Sequence, residues 1–175
     1  MGYLVCRKPS PSMTRGIWGD PQRYLDTYWS RFPGMWYHGD WASIDEDGHW
    51  FLHGRADESM NVAGRKVGPG EVEDALLRHP GVAEAAVIGV PDELKGEAIV
   101  CFVVARAETK LDSAGVGATV VAELGPAYRP REVIVLPELP KTQSGKIVRR
   151  LLRQKYIGEG LGDVSTVANP GVLGA

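Results

Sequence analysis

The chain has 175 residues, 43% of them hydrophobic and 24% charged, with a formal net charge of -2. That is enough chain to bury a core, and so even a charge balance gives no electrostatic ground for nucleic acid or an anionic membrane as partner. No apolar run approaches the roughly 20 residues of a membrane span, and residues 1–11 lack the apolar stretch of a secretory signal, so a cytoplasmic setting is expected.

Residues 1–36 are rich in Pro, Gly and Trp and show little periodicity beyond one short helix predicted within 21–32. Residues 42–52 read as two short strands around Asp47-Gly48, a dipeptide suited to the positive φ of a tight hairpin turn. From Gly70, the residues Val72, Ala75, Leu76 and His79 recur at helical spacing, with Glu71, Glu73 and Asp74 in the first turn and Pro80-Gly81 as the stop. Val- and Ala-rich runs at 82–90 and 99–105 suit buried strands, separated by a turn over 91–96. A second helix is predicted over 118–124, its start weakened by Gly115 and Gly117 and its end marked by Gly125-Pro126. A strand at 132–136, a short basic helix at 147–156 and a Gly-rich extended tail from Gly158 complete the pattern. The order of elements is that of a small α+β domain beginning near Glu58.

Three stretches offer chemistry. Asp40, after Tyr37-His38-Gly39, carries a carboxylate that by itself reads first as a turn residue capping local backbone amides, and otherwise as one able to accept two hydrogen bonds from a vicinal diol such as a ribose. Arg55 and Lys66 bracket a Gly-rich loop and provide a planar fork and a point charge for a phosphate; the plain alternative is a solvated loop paired with Glu58, Glu71 or Glu73. Residues 140–147, Pro-Lys-Thr-Gln-Ser-Gly-Lys-Ile, set Lys146 on a Ser-Gly turn. This is no P-loop, which would need a glycine at position 140 and Ser or Thr at 147. What remains is a lysine able to meet charge developing on a carboxylate or phosphate oxygen, or a plain surface lysine. Arg149, Arg150, Arg153 and Lys155 form a basic face, solvated or turned to a nucleotide's phosphates. Cys6 and Cys101 form no CxxC pair and His49 and His53 lie in a strand-like pattern without a third ligand, so no disulfide framework and no metal site is expected.

Taken together and in order, these stretches resemble the AMP-forming acyl-CoA synthetases of the adenylate-forming superfamily, and most closely their acetyl-CoA synthetase branch. The resemblance rests on residues 19–24, 27–29, 37–40, 45–48, 54–73, 89–92 and 140–150 and on the tail segment Leu161-Gly162-Asp163-Val164-Ser165-Thr166. It implies a carboxy-terminal fragment: residues 1–56 as the end of a large adenylate-binding domain contributing β-strands, 57–157 as the small carboxy-terminal domain with a mixed sheet and flanking helices, and 158–175 as the tail. It also implies two half-reactions, in which a short-chain carboxylate and ATP with Mg2+ give an acyl-adenylate and pyrophosphate, and coenzyme A then displaces AMP.

Carried over residue by residue, the resemblance makes Lys146 the adenylation lysine, and makes Asp40, Arg55 and Lys66 nucleotide contacts. Asp57 becomes the hinge, and Ala63 and Gly64 border the coenzyme A path. Mg2+ ligands are expected outside this chain, and an acetyltransferase and deacetylase acting on Lys146 are expected partners. Where related enzymes carry basic residues for the coenzyme A nucleotide, this chain has Val120-Val121-Ala122-Glu123-Leu124. By itself the fragment is expected to be inactive, and the alternative is a non-catalytic nucleotide-binding or interaction module with the same fold.

Overall fold

The computed structural model describes residues 1–174, and the chain divides into two compact units, Met1–Asp57 and Glu58–Ala175. In the first unit, β1 (Gly2–Cys6), β2 (Trp36–Ile44) and β3 (Trp50–Arg55) form an antiparallel sheet in that order. The predicted hairpin is β2–β3. Its turn is closed by Asp45, whose carboxylate accepts the His49 amide at 2.8 Å, and by Gly48 at φ 86°. The predicted helix is α1 (Pro21–Tyr28), started by Asp20, which accepts the Arg23 amide at 3.0 Å, and by Pro21 with its φ already set. Rings substitute for an aliphatic core here: Tyr3 stacks on Trp41 at 4.1 Å and Tyr28 on Trp36 at 5.1 Å between centroids.

The second unit is the α+β domain. It contains β4 (Met60–Val62), β5 (Arg65–Val67), α2 (Pro69–Leu77), β6 (Val82–Asp92), β7 (Gly96–Ala105), α3 (Ser113–Leu124), β8 (Glu132–Leu136) and α4 (Arg149–Tyr156). The sheet is mixed. β6 lies antiparallel along one edge of β7, while β4 meets the other edge at Gly96 and β8 runs parallel to it from Val100 to Val104.

The two apolar runs hold because both faces of the sheet are covered. Strand alternation sends Ala85, Val87, Ile99, Cys101 and Val103 into one core with Val72 and Leu76 of α2 and Val116 and Val120 of α3. Ala86, Ile88, Val90, Ala98, Val100 and Phe102 face the other way, onto Leu139 and Leu152 of α4.

Three elements depart from the sequence reading. The Gly-rich loop is a hairpin, β4–β5, whose two-residue turn puts Ala63 at φ 50° and Gly64 at φ 78°. Helix α3 starts at Ser113 despite its glycines, because Asp112 caps the Ala114 and Gly115 amides at 3.2 and 2.9 Å. A Cβ at Gly115 would stand 3.2 Å from the same carboxylate, so the glycine leaves room for the cap. The tail, expected to be extended, is anchored: Val167 and Leu173 bury against Leu151 of α4, and residues Pro170–Leu173 close a 3-10 turn.

Candidate functional site

In the first unit, Asp40 and Arg55 face each other across β2 and β3. The Asp40 side chain, 16% exposed, lies 2.7 Å from His38 Nδ1 and 3.7 Å from an Arg55 terminal nitrogen. Arg55 donates to the His38 carbonyl at 3.2 Å and grips Asp57 with two bonds, at 3.0 and 3.1 Å. Gly39 makes this possible: it sits at φ 97°, and a Cβ there would fall 2.6 Å from the guanidinium. From sequence, Glu58, Glu71 and Glu73 are the candidate partners for the charges of this loop; Arg55 pairs with Asp57 and Asp40.

In the second unit, Lys66 is exposed on β5 opposite Asn61, with Ala63 and Gly64 at the hairpin tip. Nothing lies within 4 Å of where a Gly64 Cβ would stand, so the tip presents bare backbone. Among the described residues, no hydrogen bond or ion pair joins this hairpin to Lys146.

Lys146 sits on a closed turn. Lys141 and Ile147 form an antiparallel bridge, and the Thr142 amide donates to the Lys146 carbonyl at 2.9 Å. The Thr142 hydroxyl accepts the Lys146 amide at 3.1 Å, and Gly145 turns the chain at φ 81°. Lys141 is tied to Glu84 at 2.7 Å, whereas the Lys146 side chain is exposed and makes no hydrogen bond or ion pair among the described residues.

The basic face read from sequence is mostly internal wiring. Arg149 makes two bonds of 2.7 Å to Glu73 and one of 3.0 Å to Glu58. Glu73 also accepts the Val87 amide at 2.9 Å, so one carboxylate ties α2, β6 and α4 together just beyond the lysine turn. The Glu73 carboxylate holds the Arg149 pKa above its ordinary value, against the opposing effect of burial. Arg150 donates to the carbonyls of Leu161 and Asp163, and Arg153 to that of Gly89. Neither Glu73 nor Arg149 was singled out as a pair from sequence. The available signal was an acid on the same helical face as Leu76, where burial demands a cation.

Residues 71–146 match the family model described as the AMP-binding enzyme C-terminal domain. Over those residues the chain carries the C-terminal domain of AMP-binding enzymes. The acetyl-coenzyme A synthetase of Mycolicibacterium smegmatis is 50% identical over 99% of this chain and 19% of its own length. That of Pyrobaculum aerophilum is 50% identical over 95% of this chain and 25% of its own. Among solved structures, acetoacetyl-CoA synthetase from Streptomyces lividans aligns with a TM-score of 0.84 at 31% identity, covering 99% of this chain and 27% of that one. ATP-bound MatB from Rhodopseudomonas palustris aligns at 0.70 and 31% identity over 81% of this chain and 28% of that chain. The chain thus spans about a quarter or less of the length of these two curated relatives. Among the described residues, no helix is long and apolar enough to cross a membrane.

Proposed function

We propose that this chain is the carboxy-terminal portion of an AMP-forming ligase that joins acetate, or a similar short-chain carboxylate, to coenzyme A in the cytoplasm. The observation that carries the reading is 50% identity to acetyl-coenzyme A synthetases along 95–99% of the chain. The lysine turn supports it. A carboxylate and the α-phosphate of ATP repel, and an ammonium group set on a closed turn without a counter-charge is free to neutralise both as their bond forms. Lys146 fills that role in the first half-reaction. Asp40, with His38 orienting one of its oxygens, accepts the ribose hydroxyls, and Arg55 and Lys66 are further nucleotide contacts.

After the adenylate forms, a lysine at the reacting atoms obstructs the incoming thiol. A rotation at Asp57 withdraws it, a reading supported by the boundary between the compact units, which falls directly after that residue. The tip at Ala63 and Gly64 then borders the pantetheine arm, because a glycine beside a single methyl group admits a thin ligand closely. The exposure of Lys146 also suits an acetyltransferase and deacetylase pair, since acylation would remove the charge that the first step needs.

Magnesium enters with ATP as substrate. The ligand atoms of Asp45, Asp47 and His49 lie within 4.8 Å of one another, but this exposed group is the β2–β3 turn, and Asp45 is already engaged by the His49 amide and ring. Those residues do not fit a nucleotide-bound ion.

The test is a graft. Replacing the matching segment of the M. smegmatis synthetase with this chain should retain acetate-dependent pyrophosphate exchange, while this chain alone should give background. In the graft, Lys146→Ala should lower adenylation ~10²- to 10³-fold and leave thioester formation from supplied acetyl-adenylate largely intact. Equal loss in both half-reactions refutes the role given to Lys146, and turnover by this chain alone refutes the division of labour.

A further inference from the structure

The lysine turn is held from outside by the tail. Pro140 has no N–H, so the strand-like stretch leading into the turn lacks a donor where a neighbouring strand would pair with it. On either side of that proline, the Asn169 side chain takes the part of a strand. Its Oδ1 accepts the Lys141 amide at 2.9 Å, and its Nδ2 donates to the Leu139 carbonyl at 2.9 Å. A primary amide carries the same donor and acceptor pair as a peptide group, which is why one side chain can satisfy both.

The neighbouring tail backbone continues the pairing. The Ala168 amide donates to the Lys141 carbonyl at 2.7 Å, and Val167 bridges Thr142. Thr142 is the residue whose hydroxyl and amide both bond the Lys146 backbone, at 3.1 and 2.9 Å. The tail is itself fixed: Val167 and Leu173 are buried against Leu151, and Arg150 grips the carbonyls of Leu161 and Asp163 at 3.0 and 2.9 Å.

We infer that residues 161–173 are a strap that sets the position of Lys146, and that Asn169 is its positioning residue. The inference rests on the role proposed above for Lys146. Asn169 touches no reacting atom; it acts through Lys141 and Thr142. A lysine displaced by about 1 Å from the productive position costs on the order of a hundredfold in rate, so loosening the stem weakens the step that uses Lys146 and spares the step from which it is withdrawn.

The experiment uses the same graft. Asn169→Ala should lower pyrophosphate exchange about ten- to hundredfold while thioester formation from supplied acetyl-adenylate changes less than about twofold. Asn169→Asp keeps the acceptor for Lys141 but loses the donor to Leu139, and should fall between. Equal loss in both half-reactions would mean that Asn169 serves only general stability, and no loss would mean that the strap is idle; either overturns the inference. If the unsubstituted graft is itself inactive, the failure belongs to the proposed function. Hydrogen exchange on this chain then decides the strap by itself. The Lys141 amide should be protected in the unaltered protein and exchange about tenfold faster in Asn169→Ala, with the amides of β6 and β7 unchanged. A Lys141 amide that exchanges at the random-coil rate in the unaltered chain overturns the strap even if the variant does not fold.

Discussion

Replacing Arg149 with alanine tests the wiring behind the lysine turn. The substitution removes both bonds to Glu73 and the bond to Glu58, and leaves the Glu73 side chain, 11% exposed in the unaltered protein, with a charge and one remaining partner, the Val87 amide. Removing one partner from a buried ion pair costs about 3–5 kcal/mol. Arg149 is 22% exposed and Glu73 keeps one hydrogen bond, so the lower end applies, about 3 kcal/mol. In a unit of this size each kcal/mol moves the midpoint by about 4 °C, so the second unit should melt about 12 °C lower.

The readout should be far-UV circular dichroism, which sees α2, α3 and α4. Tryptophan emission will not serve, because Trp18, Trp29, Trp36, Trp41 and Trp50 all lie in the first unit. Glu73→Gln provides the control. It keeps an acceptor for the Val87 amide and for one guanidinium nitrogen but turns a donor toward the other, so it should cost less than Arg149→Ala. A loss below about 1 kcal/mol for Arg149→Ala would class the pair with ordinary surface salt bridges and refute the reasoning.

Asp92 accepts the Lys95 and Leu94 amides at 2.8 and 2.9 Å and pairs with Arg131; the Lys95 amide, then Arg131, then the Leu94 amide hold its carboxyl below the usual range. A depressed folded pKa stabilises above the unfolded value of about 3.9 and is lost as pH falls through the folded one, so Asp92→Asn should be weaker at neutral pH and lose less as pH falls below about 4. Matching acid limbs in urea titrations would refute this. The Cys101 thiol is pushed up to about 12 by burial and secondarily by the Glu73 charge, so iodoacetamide at pH 8 should label the partly exposed Cys6 and leave Cys101 untouched until urea is added. Labelled Cys101 in the folded chain, located by peptide mass mapping, would contradict it. Ala63→Gly relieves a side chain held at φ 50° and should raise stability by about 0.5–1 kcal/mol, read as a higher thermal midpoint; a lower midpoint would show that the turn is not strained.

Where local chemistry determined the outcome, the sequence was sufficient. Asp47-Gly48 called for a hairpin turn, Pro80-Gly81 ended α2, and unbroken Val and Ala runs required a sheet covered on both faces. The reading failed where the deciding partner was remote or specific. β1 is five residues whose pairing partner β2 lies some thirty residues downstream, and nothing local marks it. The start of α3 turned on one capping carboxylate at Asp112, which outweighs the propensity cost of Gly115 and Gly117. The β4–β5 hairpin hid behind Ala63-Gly64, because an alanine at positive φ is not an expected turn residue.

The site was legible in its motifs but not in its supports, and the supports give the motifs their meaning. A run of basic residues around a turn suggests a single cationic surface. The structure separates those cations by what holds each one: Lys141 on Glu84, Arg149 on Glu73 and Glu58, Arg150 on two tail carbonyls, Arg153 on the Gly89 carbonyl. Lys146 stands on a turn stitched at Thr142, and its ammonium has no partner among the described residues. An ammonium already paired within the protein would have to break that pair before meeting a substrate anion, and part of its electrostatic effect would be lost in doing so. One fixed at the backbone and unpaired at the tip avoids that reorganisation, the condition under which a single charge contributes most to a reaction between two anions.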